Sequence, residues 1–294
     1  MFSVAQLHEQ SQRQLQPLYS KEEARALSYA VLQHFGKLSR TQLYAFPETE
    51  LSPGVVQQVQ TAIAGLLAHR PLQYVTGETL FCGFPMEVSG AVLIPRPETE
   101  ELVAWAAGSA GKQAVVLDLC TGSGCIAIAL KKIIPSAEVY ACDCSPEALE
   151  VAQRNAAKND AAIHFFHCDV LSTMPFDKKA DCIISNPPYV RHSEKAAMSK
   201  NVLLYEPPQA LFVADNDPLV FYRAIARLAR QHLQDNGTVF VEINEALGNE
   251  TKVLFETAGF AAVELRKDLN GKDRMIRCTG HGKREVSSNN NRNL

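Results

Sequence analysis

The segment best suited to chemistry is Asn186-Pro187-Pro188-Tyr189, which directly follows a predicted strand over 181–185. A residue before proline is held in extended geometry, so the Asn186 side chain is rigidly aimed. Two successive prolines remove two backbone donors and leave the Pro187 carbonyl free as an acceptor. Asn186 Oδ1 and this carbonyl can therefore accept both hydrogens of a planar –NH2 group, and Tyr189 can stack on its π-system. We interpret this as orientational catalysis on an amino nitrogen, against the alternative of an ordinary strand-end turn.

A second segment, 115–127, passes from an apolar strand through a glycine-containing loop into a helix. Such a loop lets a ligand approach the backbone, and the helix N-terminus offers free N–H donors. The next strand ends at Asp143, where a carboxylate can accept hydrogen bonds from a ribose diol. The spacing of Gly122, Gly124 and Ala127 also fits the loose dinucleotide fingerprint, with an acid about 20 residues further on. The segment predicts a nucleotide site, and a tight turn with a strand-end carboxylate is the alternative.

Other candidates for chemistry have simpler explanations. Cys142 and Cys144 are separated by one residue rather than the two to four of structural zinc sites, so we expect small buried thiols and no metal. Glu98 and Glu100 are two positions apart on a predicted helix and point to different sides, which argues against a carboxylate pair. Arg96 either meets a ligand carboxylate or a substrate backbone, or forms a salt bridge at the domain linker, and the sequence assigns no role to Glu206.

Three regions must position these residues. Residues 1–72 predict a helical bundle, with helices starting after Ser20, Ser39 and Ser52 and with capping boxes at the first two. Residues 73–95 predict a β-hairpin-like connector. We expect short strands in the connector at 79–82, 84–88 and 91–94.

From residue 96 to 280 the pattern alternates strands with helices and closes with a hairpin around Asn270-Gly271. The expected strands are 114–119, 138–142, 163–166, 182–185, 238–243, 262–266 and 274–278. The expected helices are 97–107, 124–134, 146–158, 218–233 with Asp217 as its cap, and 250–258. This is an α/β pattern that predicts a mostly parallel, seven-stranded sheet with one reversed strand. The tail 281–294, rich in Ser and Asn, is expected to be disordered.

The charge and hydropathy of the chain limit the classes of partner that we expect it to bind. The chain has 294 residues, enough for about two domains, and 29 basic against 32 acidic residues give a net charge of −3. Proteins that bind the nucleic-acid backbone usually carry a basic excess, so we expect no direct nucleic-acid partner. The N-terminus does not resemble a signal peptide, and no apolar run approaches the length of a membrane span. With eight cysteines that do not follow a secreted pattern, we expect reduced thiols and a cytoplasmic protein.

The two segments together resemble class I (Rossmann-like) methyltransferases that use S-adenosyl-L-methionine to modify planar amino groups. Further motifs resemble one family, HemK/PrmC, the protein-(glutamine-N5) methyltransferases of peptide chain release factors. These motifs are the helical N-terminal region, residues 93–100, 205–207, 210–212 and 267–274. The resemblance spans roughly residues 1–278. It implies methyl transfer to the Gly-Gly-Gln glutamine of class-1 release factors, with S-adenosyl-L-homocysteine as the product and the helical region as docking surface.

The resemblance also implies residue roles. The loop residues Cys120, Thr121, Gly122, Ser123 and Gly124 would lie against the methionine and ribose of the cofactor. Asp143 would hold the ribose hydroxyls, and Asp169 and Val170 would border the adenine. Asn186 would touch cofactor and substrate, and the residues that would hold the glutamine amide are Pro187, Pro188 and Tyr189.

Two positions depart from the family pattern. Cys120 stands where glycine is common, and Val170 stands where an aromatic residue often follows the acid. Three alternatives stay open on the residues alone. An N6-adenine methyltransferase of DNA or RNA uses the same Asn-Pro-Pro-Tyr motif on an extruded base. A nicotinamide-dependent oxidoreductase shares the glycine fingerprint but leaves that motif unused, and a pure binding module needs no such motif.

Overall fold

The computed structural model of the chain describes residues 2–281. Its N-terminal part is a helical bundle, as predicted. In chain order its elements are β1 (Phe2–Ser3), α1 (Val4–Leu15), α2 (Lys21–Gly36), α3 (Arg40–Ala45), β2 (Glu50–Leu51), α4 (Pro53–Leu67) and α5 (Leu72–Thr76). The strands β1 and β2 pair antiparallel and tie the start of the chain to the segment before α4. Apolar residues at helical spacing form the core of the bundle, among them Leu7, Leu15, Val31, Leu32, Val59 and Ile63.

Serine side chains start the bundle helices. Ser39 forms the complete predicted capping box, and the Ser52 hydroxyl accepts a hydrogen bond from the first turn of α4. At Ser20 the hydroxyl accepts from the Glu23 backbone N–H at 3.1 Å, but among the described residues the reciprocal bond of the predicted box is not formed. The capping box at Ser20 was therefore only half right.

The connector is an antiparallel hairpin of β3 (Glu78–Phe81) and β4 (Phe84–Glu87). The third predicted strand, 91–94, is wrong, because this stretch is an irregular loop. The Tyr74 hydroxyl donates to the Val92 carbonyl at 2.5 Å, and the Ile94 N–H donates to Glu206 Oε2 at 3.1 Å. These side chains form hydrogen bonds with backbone groups that would otherwise pair with a neighbouring strand.

The C-terminal part contains the seven-stranded sheet. In chain order its elements are α6 (Pro97–Ser109), β5 (Val115–Leu119), α7 (Cys125–Ile133), β6 (Glu138–Asp143), α8 (Pro146–Lys158), β7 (His164–His167), β8 (Ala180–Ser185), β9 (Val190–Arg191), α9 (Lys200–Tyr205), β10 (Phe212–Val213), α10 (Val220–His232), β11 (Leu233–Glu242), α11 (Gly248–Thr257), β12 (Phe260–Lys267) and β13 (Asp273–His281). The strand order is β12-β13-β11-β8-β5-β6-β7. Only β13 pairs antiparallel with its neighbours in this sheet, which confirms the mostly parallel sheet with one reversed strand.

Buried strands divide their side chains between two core layers. Val116 and Ile184 face α6 and α7, whereas the adjacent Leu117 and Ile183 face α10 and α11. This alternation follows from the two-residue period of a strand and explains why both faces of the sheet are apolar. Among the described helices, none combines the length and the apolar character needed to cross a membrane.

Several boundaries differ from the predictions, most by one to three residues, and β11 begins at Leu233 rather than 238. Helix α10 begins at Val220 rather than 218, and Leu219 rather than Asp217 occupies its N-cap position. The Asp217 carboxylate pairs with Arg223 and is therefore not available to cap the helix. The predicted disordered tail lies outside the described residues, except that residue 281 ends β13.

Asn155 of α8 joins the connector to the sheet. This fully buried side chain accepts a hydrogen bond from the Glu87 N–H at 2.5 Å. Its amide donates to the carbonyls of Glu87 and Ser123, both at 2.9 Å. Tyr205 adds a tie to the bundle, since its hydroxyl donates to the Ala68 carbonyl at 2.7 Å. The connector, the bundle and the glycine loop are thus linked by side chains around the ends of the sheet.

Candidate active site

A cavity of about 870 Å³, counted with its open mouth, lies at the carboxyl ends of β5, β6 and β8. Open parallel sheets bind ligands at this edge. Most residues predicted for the site line it, namely Cys120, Thr121, Gly122, Ser123, Asp143, Asp169, Val170, Asn186 and Pro188. The predicted Gly124, Pro187 and Tyr189 are not among the lining residues. The structure therefore brings the glycine loop and the Asn-Pro-Pro-Tyr segment to one cavity.

The loop after β5 is held by two carboxylates. Cys120, Gly122 and Gly124 all have positive φ angles, of 59°, 54° and 79°. Glycine adopts this left-handed region freely, which explains the two glycines and the common preference for glycine at the first position. Asp143 Oδ2 accepts from the Gly122 N–H at 2.8 Å, and Asp118 Oδ2 accepts from the Thr121 hydroxyl at 2.6 Å. The loop thus exposes backbone to the cavity while neighbouring strand ends fix its shape.

The two acids have different environments. Asp118 is fully buried, burial raises its pKa to about 7, and its Oδ1 has no hydrogen-bond partner within the described residues. Burial also raises the pKa of Asp143, although backbone N–H groups of Ser145 and Gly122 oppose the rise. Asp143 faces the cavity and Asp118 does not. Asp143 is therefore the acid that can meet a ligand, and Asp118 supports the loop.

Asn186 follows the last residue of β8 and lies on the cavity wall. Its Nδ2 donates to Thr99 Oγ1 at 3.2 Å, and the Thr99 hydroxyl in turn donates to Glu242 Oε2 at 2.6 Å. Thr99 comes from α6 and Glu242 is the last residue of β11. The Asn186 amide nitrogen is thus engaged inside the protein, which leaves Oδ1 as its acceptor for a ligand.

Tyr189 is tied to the same carboxylate. Its hydroxyl donates to Glu242 Oε1 at 2.9 Å, and its carbonyl accepts from Asn244 Nδ2 at 3.1 Å. Burial and the neighbouring Glu242 raise the pKa of Tyr189 well above its ordinary value. The ring packs against the apolar layer on the α10 side of the sheet. Stacking of Tyr189 on a substrate stays a prediction.

Sequence reasoning missed Thr99, Glu242 and the Phe221 ring, which also lines the cavity. For Glu242 one signal was present: it ends a parallel strand, as Asp143 does, so the strand-end rule placed it at the correct edge. Thr99 lies within the motif 93–100, but the sequence assigned it no role, and nothing in the local sequence connects Phe221 to the site. The neighbours of both residues in space are distant in the chain.

The end of the connector and the residue that follows it, Arg96, also line the cavity. The Arg96 guanidinium pairs with Glu206 Oε1 at 2.6 Å. Glu206 is only 3% exposed. Of the two candidate acids Glu98 and Glu100, Glu100 accepts from the Cys82 N–H at 2.8 Å and so attaches the hairpin. Arg96 therefore forms a salt bridge, one of the roles left open for it, and its contact with a ligand stays a prediction.

All eight cysteines lie within the described residues and are free thiols. Five of them are buried, but Cys144 is exposed, so the expectation of buried thiols is wrong at this position. Cys120, Cys144 and Cys168 line the cavity, and burial raises the pKa of Cys120. Residues 2–281 contain no group of three or more His, Cys, Asp or Glu side chains arranged to hold a metal ion.

The fold and the cavity define the class of protein to which the chain belongs. A family model of the methyltransferase small domain matches residues 102–213. A solved methyltransferase from Pyrococcus furiosus has the same fold, with a TM-score of 0.52 and 18% identity, covering 75% of this chain and 98% of that one. The 16S rRNA N2 G1207 methyltransferase of T. thermophilus, solved with AdoMet and guanosine, matches with a TM-score of 0.51 and 18% identity. The match covers 69% of this chain and 49% of that one. The chain is a methyltransferase with a Rossmann-like fold, and its cofactor is S-adenosyl-L-methionine.

The relatives define the family. A model of the PrmC N-terminal domain matches residues 6–77. The chain is 44% identical to a release factor glutamine methyltransferase of Flavobacterium psychrophilum, covering 90% of this chain and 94% of that protein. It is 41% identical to the release factor glutamine methyltransferase of Bacteroides thetaiotaomicron, and this match covers 89% of this chain and 95% of that protein. The chain belongs to the family of release factor glutamine methyltransferases.

Proposed function

We propose that this enzyme methylates the side-chain amide nitrogen (N5) of the glutamine in the Gly-Gly-Gln motif of class-1 peptide chain release factors. One observation carries the proposal: Asn186 lies on the cavity wall with its Nδ2 engaged by Thr99, so that Oδ1 is free to accept from an amide. The names of the relatives favour a glutamine in a release factor over an adenine base.

The fit of the cavity to S-adenosyl-L-methionine rests on its lining. The left-handed loop from Cys120 to Gly124 lets a ligand approach the backbone closely, and we assign it to the methionine and ribose. Each Asp143 oxygen accepts one backbone hydrogen bond and has capacity for a ribose hydroxyl. Asp169 and the apolar Val170 border the space assigned to adenine, where the nearby Phe221 ring supplies the aromatic surface that Val170 lacks.

On the substrate side, Asn186 Oδ1 and the Pro187 carbonyl accept the two hydrogens of the glutamine amide. An amide nitrogen is a weak nucleophile because its lone pair is delocalised, and two fixed acceptors favour the pyramidal form. Pro188 and Tyr189 complete the wall that holds the amide plane. When bound, the cofactor supplies an electrophilic methyl group on its sulfonium and leaves as S-adenosyl-L-homocysteine. With the cofactor bound, the methyl group would pass from the sulfonium to the amide nitrogen while Asn186 Oδ1 and the Pro187 carbonyl hold that nitrogen, and the proton that the nitrogen loses would pass to solvent.

The protein partner needs a surface beyond the cavity. We assign residues 1–72 to docking of the release factor, residues 73–95 to the connector and residues 96–280 to catalysis. The bundle supports this assignment because it presents aromatic side chains to solvent, with Tyr44 48% and Phe46 61% exposed. Aromatic residues are enriched in protein interfaces. Because release factors act in translation, we also propose that the reaction takes place in the cytoplasm.

The test is a transfer assay with methyl-labelled cofactor and three acceptors. These are a class-1 release factor, the same factor with the Gly-Gly-Gln glutamine changed to alanine, and a mixture of DNA and RNA. We expect label on the first acceptor alone. Label that persists after the alanine change, or that enters only nucleic acid, would refute the proposal, and the second result would support an adenine methyltransferase.

A further inference from the structure

Three side chains from three separate elements form a buried chain of hydrogen bonds that ends at the cavity. Glu242 of β11 and Thr99 of α6 are only 1% and 2% exposed. The Thr99 hydroxyl donates to Glu242 Oε2 at 2.6 Å and accepts from Asn186 Nδ2 at 3.2 Å. The Asn186 side chain is thus connected to a buried carboxylate through a single hydroxyl group.

The chemistry of the three groups determines the direction of every bond in the chain. An ionised carboxylate only accepts, so Thr99 must use its single proton toward Glu242. The Thr99 oxygen can then only accept from its other neighbour. An asparagine amide has a donor side and an acceptor side, and only the donor side satisfies this oxygen. Asn186 Oδ1 is therefore directed away from Thr99.

In the structure both oxygens of Glu242 are used as hydrogen-bond acceptors. Burial raises its pKa, but hydrogen bonds from Thr99 and Tyr189 and the nearby positive charge of Arg274 oppose the rise. The second oxygen, Oε1, accepts from the Tyr189 hydroxyl at 2.9 Å. One buried carboxylate thus holds both ends of the Asn-Pro-Pro-Tyr segment.

We propose that Glu242 and Thr99 are positioning residues that fix the Asn186 amide with its Oδ1 toward the substrate nitrogen. The inference rests on the proposed function, because it takes Asn186 Oδ1 as an acceptor for the glutamine amide. Without the chain, the Asn186 amide can turn by half a rotation and present its –NH2 to the –NH2 of the substrate. Two donors then face each other, and the productive geometry is lost.

The test compares Thr99→Val, which keeps the shape of the side chain and removes the hydroxyl, with Thr99→Ser, which keeps the hydroxyl. A matched control is Thr251→Val in α11, because Thr251 is also fully buried and its hydroxyl donates to the Leu247 carbonyl at 2.7 Å. For each variant, kcat and KM for the release factor, the affinity for S-adenosyl-L-homocysteine and the melting temperature are measured.

We expect Thr99→Val to lower kcat by about 10- to 100-fold, the size of effect that misplacement of a reacting group produces. The affinity for S-adenosyl-L-homocysteine should stay within about 3-fold, since both hydrogen bonds that are lost, the one to Glu242 and the one from Asn186, join protein side chains to each other. Thr99→Ser should recover most of the activity. Thr251→Val should lower the melting temperature to a similar degree without changing kcat. Unchanged kcat in Thr99→Val, or an equal loss in Thr251→Val, would overturn the proposal.

A measurement on the free enzyme separates this proposal from the proposed function. In side-chain amide NMR spectra, the Asn186 Nδ2 hydrogens should be protected from exchange in the wild type and in Thr99→Ser, and exchange faster in Thr99→Val. Equal exchange in all three proteins would refute the fixed orientation. If the difference is found but the wild type methylates no release factor, the function has failed and the orientation has not.

Discussion

The two halves of the candidate site are built in different ways. On the half assigned to the cofactor, the carboxylate hydrogen bonds that hold the glycine loop are local. Asp118 and Thr121 are 3 positions apart, and Gly122, in the loop after β5, is 21 positions from Asp143 at the end of the adjacent β6. On the half assigned to the substrate, the partners are remote. Asn186 and Thr99 are 87 positions apart, and Thr99 and Glu242 are 143 apart.

This difference reflects what each half must recognise. The loop presents backbone N–H groups, which any residue with a permitted φ angle can supply, so a short segment is sufficient. Recognition of an amide requires an oxygen in one fixed orientation, which only packing from several elements can provide. We therefore expect substitutions in the two halves to separate cofactor binding from catalysis.

The largest effect should come from Asn186→Ala. The change removes an acceptor for the substrate amide, and loss of one such preorganised group costs about 10²- to 10³-fold in kcat. The affinity for S-adenosyl-L-homocysteine, measured by calorimetry, should change by less than about 3-fold, because the glycine loop does not depend on this side chain. The exposed Asn236→Ala is the control. A parallel loss of affinity and kcat in Asn186→Ala would show that the two halves are not separable.

The converse result is expected for Asp143→Ala. This change removes the proposed ribose contact and the acceptor of the Gly122 N–H, and a hydrogen bond to a charged group is worth about 1.5–3 kcal/mol. The affinity for S-adenosyl-L-homocysteine should therefore fall about 10- to 100-fold. At saturating cofactor, kcat should stay within a few-fold of the wild type. Asp143→Asn keeps one acceptor oxygen and should lose less, whereas equal losses in both variants would contradict the role of these acceptors.

The same contrast explains what was predictable from the sequence. The strand, loop and helix from 115 to 133 were correct because apolar runs and glycines carry their signal within a short window. Asn186 and Asp143 were predicted at the same edge of the sheet, because Asn186 follows a parallel strand and Asp143 ends one. The carboxyl ends of parallel strands lie at one edge of a sheet, and both residues line the cavity there.

The failures have the opposite cause. Thr99 was missed because its hydroxyl acquires its role from Glu242 and Asn186, on two other elements. The strand at 91–94 was wrong because the apolar run was interpreted alone, whereas Tyr74 and Glu206 satisfy its backbone groups. In each case a side chain far away in the chain decided the outcome.

A smaller effect should come from Glu206→Ala, which tests a long-range contact on the cofactor-facing half. Glu206 accepts from the Ile94 N–H at 3.1 Å and pairs with Arg96, which lines the cavity. Leaving these donors unpaired should destabilise the fold by about 1–3 kcal/mol and weaken cofactor binding several-fold. Glu206→Gln keeps one acceptor oxygen, so its stability and its cofactor affinity should lie between those of the wild type and of Glu206→Ala. Thermal unfolding measures the change in stability, and calorimetry measures the affinity for the cofactor product. An unchanged affinity would show that the Glu206 contact contributes to stability alone.

The last expected effect is on stability alone and concerns Asp118, the buried acid beneath the glycine loop. Its pKa is about 7 in the folded protein against an ordinary value of 3.8, so the folded state binds the proton more tightly. The stability gained from this proton is fully present below about pH 4 and is lost as the pH rises to about 7. Within this window the loss is at most about 1.4 kcal/mol for each pH unit.

Asp118→Asn resembles the protonated acid at every pH and removes this contribution. The free energy of unfolding, measured by urea denaturation from pH 4.5 to 7.5, should therefore fall less steeply with pH than in the wild type. A residual slope is expected, because burial also raises the pKa of Asp143 and Glu242. The exposed Asp235→Asn should keep the wild-type slope. Identical slopes for Asp118→Asn and the wild type would mean that Asp118 is ionised in the folded protein, and the local half of the site would then contain an unpaired buried charge.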